Sequence, residues 1–318
     1  MAMPLRAEVL CSTKDMDRVE WLRWRKKGIG SSDAAAVAGV SRWSGPIAVY
    51  LDKVQDISPD DETDNEAMQW GTILEDVVAS EFARRTGLKV QRRNAILQHP
   101  EYAHMLANID RLIVDPENGW GVLEVKTTGA WNKDEWADGK VPEEVQVQVQ
   151  HQLAVTGLEY AYVAVLIGGQ QYQHARIDRD EEVISALVQI ESDFWKLVEN
   201  RTPPEMDGTG AASDLLAALY PTAEEGEPIE LPPTAEQLIA EYQAASADEK
   251  AAKARKDAAA NGLKSLLGSR EQGFCGDRVV SWKQVTSTRF DSKALRKARP
   301  DIYQDFCTQS EYRRFTVR

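Results

Sequence analysis

The chain reads as a mixed α/β protein, a central mixed β-sheet flanked by helices, with a small helical and β appendage at the C-terminal end. Three observations predict this. Between residues 70 and 200 the apolar period switches from helical to alternating and back. Asn118-Gly119, a strong tight-turn pair, sits between two alternating runs. After residue 200 the composition turns to Pro, Gly, Glu and Ala. The division expected is a main domain over 1–200, a linker over 201–234 with room for one short helix, and an appendage over 235–318.

Bulk composition narrows the class. With 318 residues and a formal net charge of -13, the chain is long enough for a substantial core and is not coated with basic residues. A local basic groove on an acidic body is still allowed. Cys11, Cys275 and Cys307 are far apart and odd in number, which suits a reducing compartment, so the cytoplasm is expected. No apolar run has the length of a membrane span, and the start lacks a secretory pattern. His99, His104, His151 and His174 show no zinc spacing with cysteine.

The elements follow in order. Residues 12–55 read as two short helices around "KKGIGSSDAAAVAG", with Ser32 or Asp33 as N-cap after a glycine turn. The acid-rich 56–66 reads as a solvated loop. "GTILEDVVASEFARRTG" predicts a helix burying Ile73, Leu74, Val77, Val78 and Phe82, with Glu75 at the stripe's edge and Gly87 as stop. "KVQRRNAILQ" and "HMLANIDRLIVD" are strand candidates, followed by the turn "DPENGW" and the strand "GVLEVKTT". Alternation puts Glu124 and Lys126 on one face, Leu123 and Val125 on the other, and the hairpin brings Asp110 towards them. A helix over 142–156, the strand "AYVAVLIGG" and a helix near 179–199 complete the main domain. Residues 235–267 read as an Ala/Lys/Glu helix too poor in large apolar residues for a long coiled coil. "DRVVSWKQVTS" alternates, and "RRFTVR" ends the appendage in strand-like fashion.

The chemistry concentrates at the hairpin. An acid-turn-acid-x-Lys pattern by itself most often marks a solvated face. Here a further acid, Glu75, flanks a buried helix, and Gln146, Gln148, Gln150 and Gln152 alternate on the helix that follows, so only one or two can face the hairpin. Asp110, Glu124 and the Val125 carbonyl offer oxygen ligands for a hard divalent cation, the donor set used to hydrolyse phosphodiesters, and Lys126 stands on the same face to orient water or contact phosphate. Trp21 and Trp24, at i, i+3 spacing, read as core, and Trp131 and Trp136 fall in the loop after the hairpin.

Four stretches in order, "WLRWRKKGIGSSDAAAVAG", "GTILEDVVASEF", "NIDRLIVD…LEVKTT" and "QVQHQLAVTG", resemble the YqaJ-type viral recombinase family, the phage λ exonuclease-like branch of the PD-(D/E)xK nuclease superfamily. The resemblance spans residues 17–200. It implies a restriction-endonuclease-like core and a nuclease centre of Asp110, Glu124 and Lys126. Glu75 would be a metal or water contact, Gln148 a catalytic-site glutamine, and Arg25 with Ser32 the holders of a DNA-end phosphate. It also implies Mg²⁺ with Mn²⁺ as substitute, 5′-to-3′ resection of double-stranded DNA ends, a single-strand annealing protein as partner, a trimeric ring, and a phage or prophage origin in a bacterial host's cytoplasm. One departure stands out: the pattern's Pro-Asp-Gly is here Ile109-Asp110-Arg111. Two alternatives to the exonuclease are an internally cutting PD-(D/E)xK endonuclease and a non-catalytic DNA-end adaptor that recruits an annealing protein.

Overall fold

The computed structural model describes residues 6–55, 66–220, 222–223, 226, 228–288, 290–308 and 313–317. The chain divides into two compact units, Met1–Leu219 and Tyr220–Arg318.

The first unit opens with strand β1 (Glu8–Ser12), helix α1 (Arg18–Arg25), the two-residue strand β2 (Ile29–Gly30), α2 (Ser31–Val37) and α3 (Pro46–Val54). Three helices therefore stand where two were expected, because Gly45 and Pro46 start a helix of their own. Residues 56–65 of the acid-rich loop lie outside the described residues. Helix α4 (Glu66–Thr86) follows, then β3 (Lys89–Arg92), β4 (Ala95–Gln98), β5 (Met105–Ala107), β6 (Arg111–Asp115) and β7 (Gly119–Thr128). Each expected strand before the hairpin is thus broken in two. The pieces join different sheets, one ordered β1-β4-β5-β2 and one of five strands beginning β3-β6-β7. The break between β5 and β6 leaves Asp110 outside either ladder.

The β6–β7 turn is closed by Asp115, whose carboxylate accepts from Glu117 N, Asn118 N and Asn118 Nδ2, while Gly119 takes φ +79°. After a 3₁₀ segment (Ala130–Gly139), helix α5 (Glu143–Thr156) crosses over to β8 (Tyr160–Ile167), which pairs parallel to β7. Parallel neighbours require such a crossover, and it lays α5 on the sheet. The edge strand β9 (Gln171–Asp178), unforeseen in the sequence reading, completes the order β3-β6-β7-β8-β9. Its Gln, His and Arg residues mask an alternation whose inner side is only half-buried.

Helices cover both faces of the five-stranded sheet. Val145, Val149 and Leu153 of α5 pack with Leu112, Val122 and Val163, whereas Val78, Ala79 and Phe82 of α4 pack with Ile113, Leu123 and Ala164. At about 25 cal/mol per Å² of apolar surface removed from water, these two layers supply most of the driving force for the fold. The stripe on α4 differs from the expected one. Gly71, Leu74, Glu75, Val78, Ala79 and Phe82 turn inward, while Ile73 and Val77 are 61% and 58% exposed. Glu75 therefore lies on the inward line of the helix rather than at its edge.

Helix α6 (Glu181–Glu199) contributes Phe194 to a cluster with Ile29, Val49 and Tyr50. Helix α7 (Gly210–Leu219) packs Ala212 and Leu215 on Ile47, so the first half of the expected linker belongs to the main unit.

The second unit comprises α8 (Thr234–Leu267), a hairpin of β10 (Gln272–Cys275) and β11 (Arg278–Ser281), α9 (Ser292–Ala298) and α10 (Pro300–Asp305). Residues 313–317 form no strand. Leu267 is the one buried apolar residue among those described in this unit, so the long helix rests chiefly on the helix propensity of its Ala, Lys and Glu residues. The three cysteines are free thiols. Among the described residues no helix is long and apolar enough to cross a membrane.

Candidate active site

The site forms where β6 stops pairing with β7. The ladder ends at Arg111 opposite Leu123, and from there the Asp110 carboxylate takes over: its Oδ2 accepts from Val125 N at 2.8 Å. A side chain thus replaces a strand neighbour, and the backbone donor is satisfied without closing the sheet. Val125 holds Asp110 through its N–H, beside the carbonyl expected to face a cation.

Alternation points Val122, Glu124 and Lys126 of β7 towards α5, as the sequence predicts. Glu124 is 4% exposed, and both its oxygens are engaged. Oε1 accepts from Gln148 Nε2 at 2.6 Å and lies 2.8 Å from Lys126 Nζ; Oε2 accepts from Gln152 Nε2 at 2.7 Å. Lys126 Nζ also donates to Gln148 Oε1 at 2.7 Å, so the glutamine ties acid and lysine into a ring of three side chains.

Helix α5 is buried almost all round, and its glutamines find partners inside the protein, with only Gln152 Oε1 among their described polar atoms buried without one. Gln148 and Gln152, one turn apart, both face Glu124. Gln150 bonds Asp178 O and Asp180 N, and Gln146 bonds Val141 O. Gln152 is the residue that sequence reasoning missed. Its i, i+4 relation to Gln148 was the available signal.

Electrostatics mark Asp110 as the unbalanced member. Burial, then the charges of Glu124 and Glu75, push its carboxyl well above the usual carboxylate range, against the Val125 hydrogen bond and Lys126. For Lys126, burial disfavours the charge, but Glu124 outweighs it by charge and hydrogen bond, with Asp110 and Glu144 adding to the effect, and holds the ammonium above its usual value. Two acids facing one lysine leave Asp110 without a charge partner of its own, which is why burial favours its neutral form. That donor set, all oxygen, fits a hard divalent cation. Among the described residues no three His, Cys, Asp or Glu side chains converge to hold an ion by themselves. A cation here would take Asp110, Glu124 and backbone or external oxygens.

Glu75 stands apart from the expected ligand set. Its Oε1 accepts from Arg111 Nη1, and Arg111 Nη2 reaches Asp76. Strand alternation turns Arg111 to the α4 face together with Ile113, where it meets the inward line of that helix. The carboxylate expected at the metal is held by a guanidinium.

Arg25 and Ser32 do come together, with Nη2 to Oγ at 3.3 Å, and Arg25 also pairs with Asp33 Oδ1 at 2.8 Å. Asp33 is the fixed point: it accepts from Gly30 N at 3.1 Å and from Lys53 Nζ at 2.7 Å. Burial raises its pKa, but Arg25 and Lys53 more than reverse this and hold it below the usual range. Gly30 is the N-cap, where Ser32 or Asp33 was expected. Trp21 and Trp24 are not core. Both are half-buried, with the Arg25 guanidinium 5.0 Å from the Trp21 ring and Lys27 Nζ 3.5 Å from that of Trp24. The buried residue of that short helix is Leu22.

A cleft lined by Trp21, Arg25, Ser31, Ser32, Asn108 and Gln148 runs beside the hairpin site. A second cavity, with Lys126, Asn132 and Arg42 in its wall, shares Ser32 and Gln148 with the first. Ser31, the neighbour of the serine singled out from sequence, lines the first cleft with a buried hydroxyl that has no protein partner. Trp136 is core, whereas Trp131 is 84% exposed.

The YqaJ-like viral recombinase domain matches residues 20–159, the part of the chain that builds this site. The uncharacterized protein YqaJ of Bacillus subtilis (strain 168) is 40% identical over 316 residues, 98% of this chain and 98% of the relative. Among solved structures, the alkaline exonuclease LHK-Exo from Laribacter hongkongensis is 24% identical, covers 63% of this chain and 99% of its own, and gives a TM-score of 0.48. A phage related exonuclease from Haemophilus somnus 129PT is 11% identical over 57% of this chain and 99% of its own, with a TM-score of 0.40. On the identity shared with YqaJ along nearly the whole of both chains, this chain belongs to the YqaJ-like viral recombinase family.

Proposed function

We propose that the chain is a metal-dependent deoxyribonuclease that resects double-stranded DNA ends during recombination. One observation carries the reading: Asp110, Glu124 and Lys126 converge at an opening in the sheet, with the acids in excess and one acid held away from its ordinary ionisation by burial. A structural ion pair would pair its charges off. Family membership supports a role in recombination.

Asp110 and Glu124 would hold the cation, Mg²⁺ or Mn²⁺, with help from backbone oxygen at Val125; when bound, it supplies an activated water and neutralises charge on the phosphate. The rest of the work belongs to the protein. Lys126 donates hydrogen bonds to Glu124 and Gln148, and it orients water or the phosphoryl oxygen. Gln148 fixes the lysine's position, and Gln152 fixes the rotamer of Glu124 by anchoring the other oxygen. Arg25, over the Trp21 ring and braced by Asp33, would offer N–H groups to a terminal phosphate, with the hydroxyls of Ser31 and Ser32 beside it. In this reading the polarity is 5′ to 3′, the working form is a ring of three chains, and the product strand passes to a single-strand annealing protein. These three points rest on the family resemblance.

The test is a time course on linear duplex DNA labelled at either the 5′ or the 3′ terminus, with and without Mg²⁺, beside closed-circular DNA and the Glu124→Ala variant. Early release of the 5′ label alone, dependent on Mg²⁺ and Glu124 and absent from circles, is expected. Cutting of circles would replace the reading with an endonuclease; binding of ends without release would replace it with an adaptor.

A further inference from the structure

Arg111 is the residue of the site region that the proposed chemistry leaves unused, and it is among the most buried charges of the chain, 4% exposed. It sits between two acids of α4. Its Nη1 donates to Glu75 Oε1 and to the Asp110 carbonyl, and its Nη2 donates to Asp76 Oδ1. Arg92 takes the other oxygen of Asp76 and draws its carboxyl below the usual range, with Arg111 adding to the effect. Two acids and two arginines close this cluster in charge.

Geometry forces the arrangement. Ile113 packs against α4, so Arg111, two residues earlier on the same strand, enters the α4 face as well. There the inward line of α4 presents Glu75 four residues before Ala79. A guanidinium cannot shed its proton in a protein, so a buried one deprived of Glu75 keeps its charge against Asp76 alone, which Arg92 already shares. Glu75 is consequently not free to swing towards Asp110, although its charge is felt there. Beside Lys126, by contrast, there are two acids, Asp110 and Glu124, for one lysine.

We propose that Arg111 stands in for a second cation. It delivers fixed positive charge to the α4 side of the centre and withholds Glu75 from coordination, so the site takes one divalent ion through Asp110 and Glu124. Through its bond to the Asp110 carbonyl it is also the positioning residue for the peptide that carries the metal acid. This inference rests on the nuclease reading, and the experiment separates the two.

The measurement is binding stoichiometry on the full chain with Mn²⁺ as probe, read from the loss of the free-ion electron paramagnetic resonance signal. One Mn²⁺ per chain is expected. Glu75→Gln, which can still accept from Arg111, should leave the count at one ion per chain, whereas Asp110→Asn should weaken binding by about tenfold or more. Arg111→Met, checked for a native melt by circular dichroism, should admit a second Mn²⁺ that the Arg111→Met/Glu75→Gln double variant loses. Two ions in the unaltered chain, or loss of the bound ion in Glu75→Gln, would overturn the inference and leave the nuclease reading standing. Binding indifferent to both Asp110→Asn and Glu124→Gln would remove the cation site itself and both readings with it. If Arg111→Met does not fold, the Glu75→Gln arm decides.

Discussion

Gln152 donates to Glu124 Oε2 at 2.7 Å, and both side chains are almost wholly withdrawn from solvent. One of the two carboxylate oxygens at the site thus depends on a single amide from the crossover helix. Gln152→Leu keeps the volume and removes the donor, leaving a buried carboxylate oxygen unpaired. Destabilisation of about 2 kcal/mol is expected, with slower DNA cleavage. The urea midpoint measures it, and an unmoved midpoint would mean that Glu124 does not depend on the amide.

Lys126 touches both Glu124 and Gln148 and is held protonated. Lys126→Ala is expected to keep duplex-end binding, measured by fluorescence anisotropy, while single-turnover cleavage falls by about 10² to 10³, the cost of removing one aimed donor. Unaltered turnover would disprove its assignment.

Gly28 sits where the chain leaves α1 for β2, and a Cβ there would lie 2.5 Å from the His104 carbonyl and 2.7 Å from Leu106 Cγ. Ile29 N donates to that same carbonyl at 2.7 Å. Gly28→Ala must therefore push β2 off β5 and shift Arg25 relative to Ser32. A loss of about 1–3 kcal/mol is expected, together with a weaker preference for 5′-phosphorylated over 5′-hydroxyl ends in competition binding. A variant as stable as the parent would show that the neighbouring strand yields.

His151 is fully buried, and both its ring nitrogens face oxygen acceptors, Glu191 Oε1 and the Leu106 carbonyl, each at 2.8 Å. Burial opposes the imidazolium, but Glu191 outweighs it by charge and hydrogen bond, and the ring's pKa lies above its ordinary 6.5. A raised folded value means that this pair contributes fully below the unfolded pKa of about 6.5 and is lost as pH rises through the folded value. Denaturant unfolding from about pH 5.5 to 9 should therefore show the parent's advantage over Glu191→Gln shrinking with rising pH. Parallel curves would rule out the charged pair.

Much of the site was legible because it depends on spacing within one element. Glu124 and Lys126 share a face by strand period, the Asn118-Gly119 turn carries β6 back against β7, and the glutamine helix follows from its own pattern. Periodicity reports which residues share a face of their own element. It does not report which neighbour meets that face. The split of the strands at 93–94 and 108–110, which frees Asp110 from both sheets, needed the register of two sheets at once. The inward line of α4 was set by the sheet, which put Glu75 against Arg111. Gln152 was chosen over Gln150 because Glu124 lies beneath it. The sequence by itself determined the mixed α/β class, the acids and the lysine; tertiary packing decided which acid faces which cation, because a buried charge is settled by the partner that the other elements bring to it.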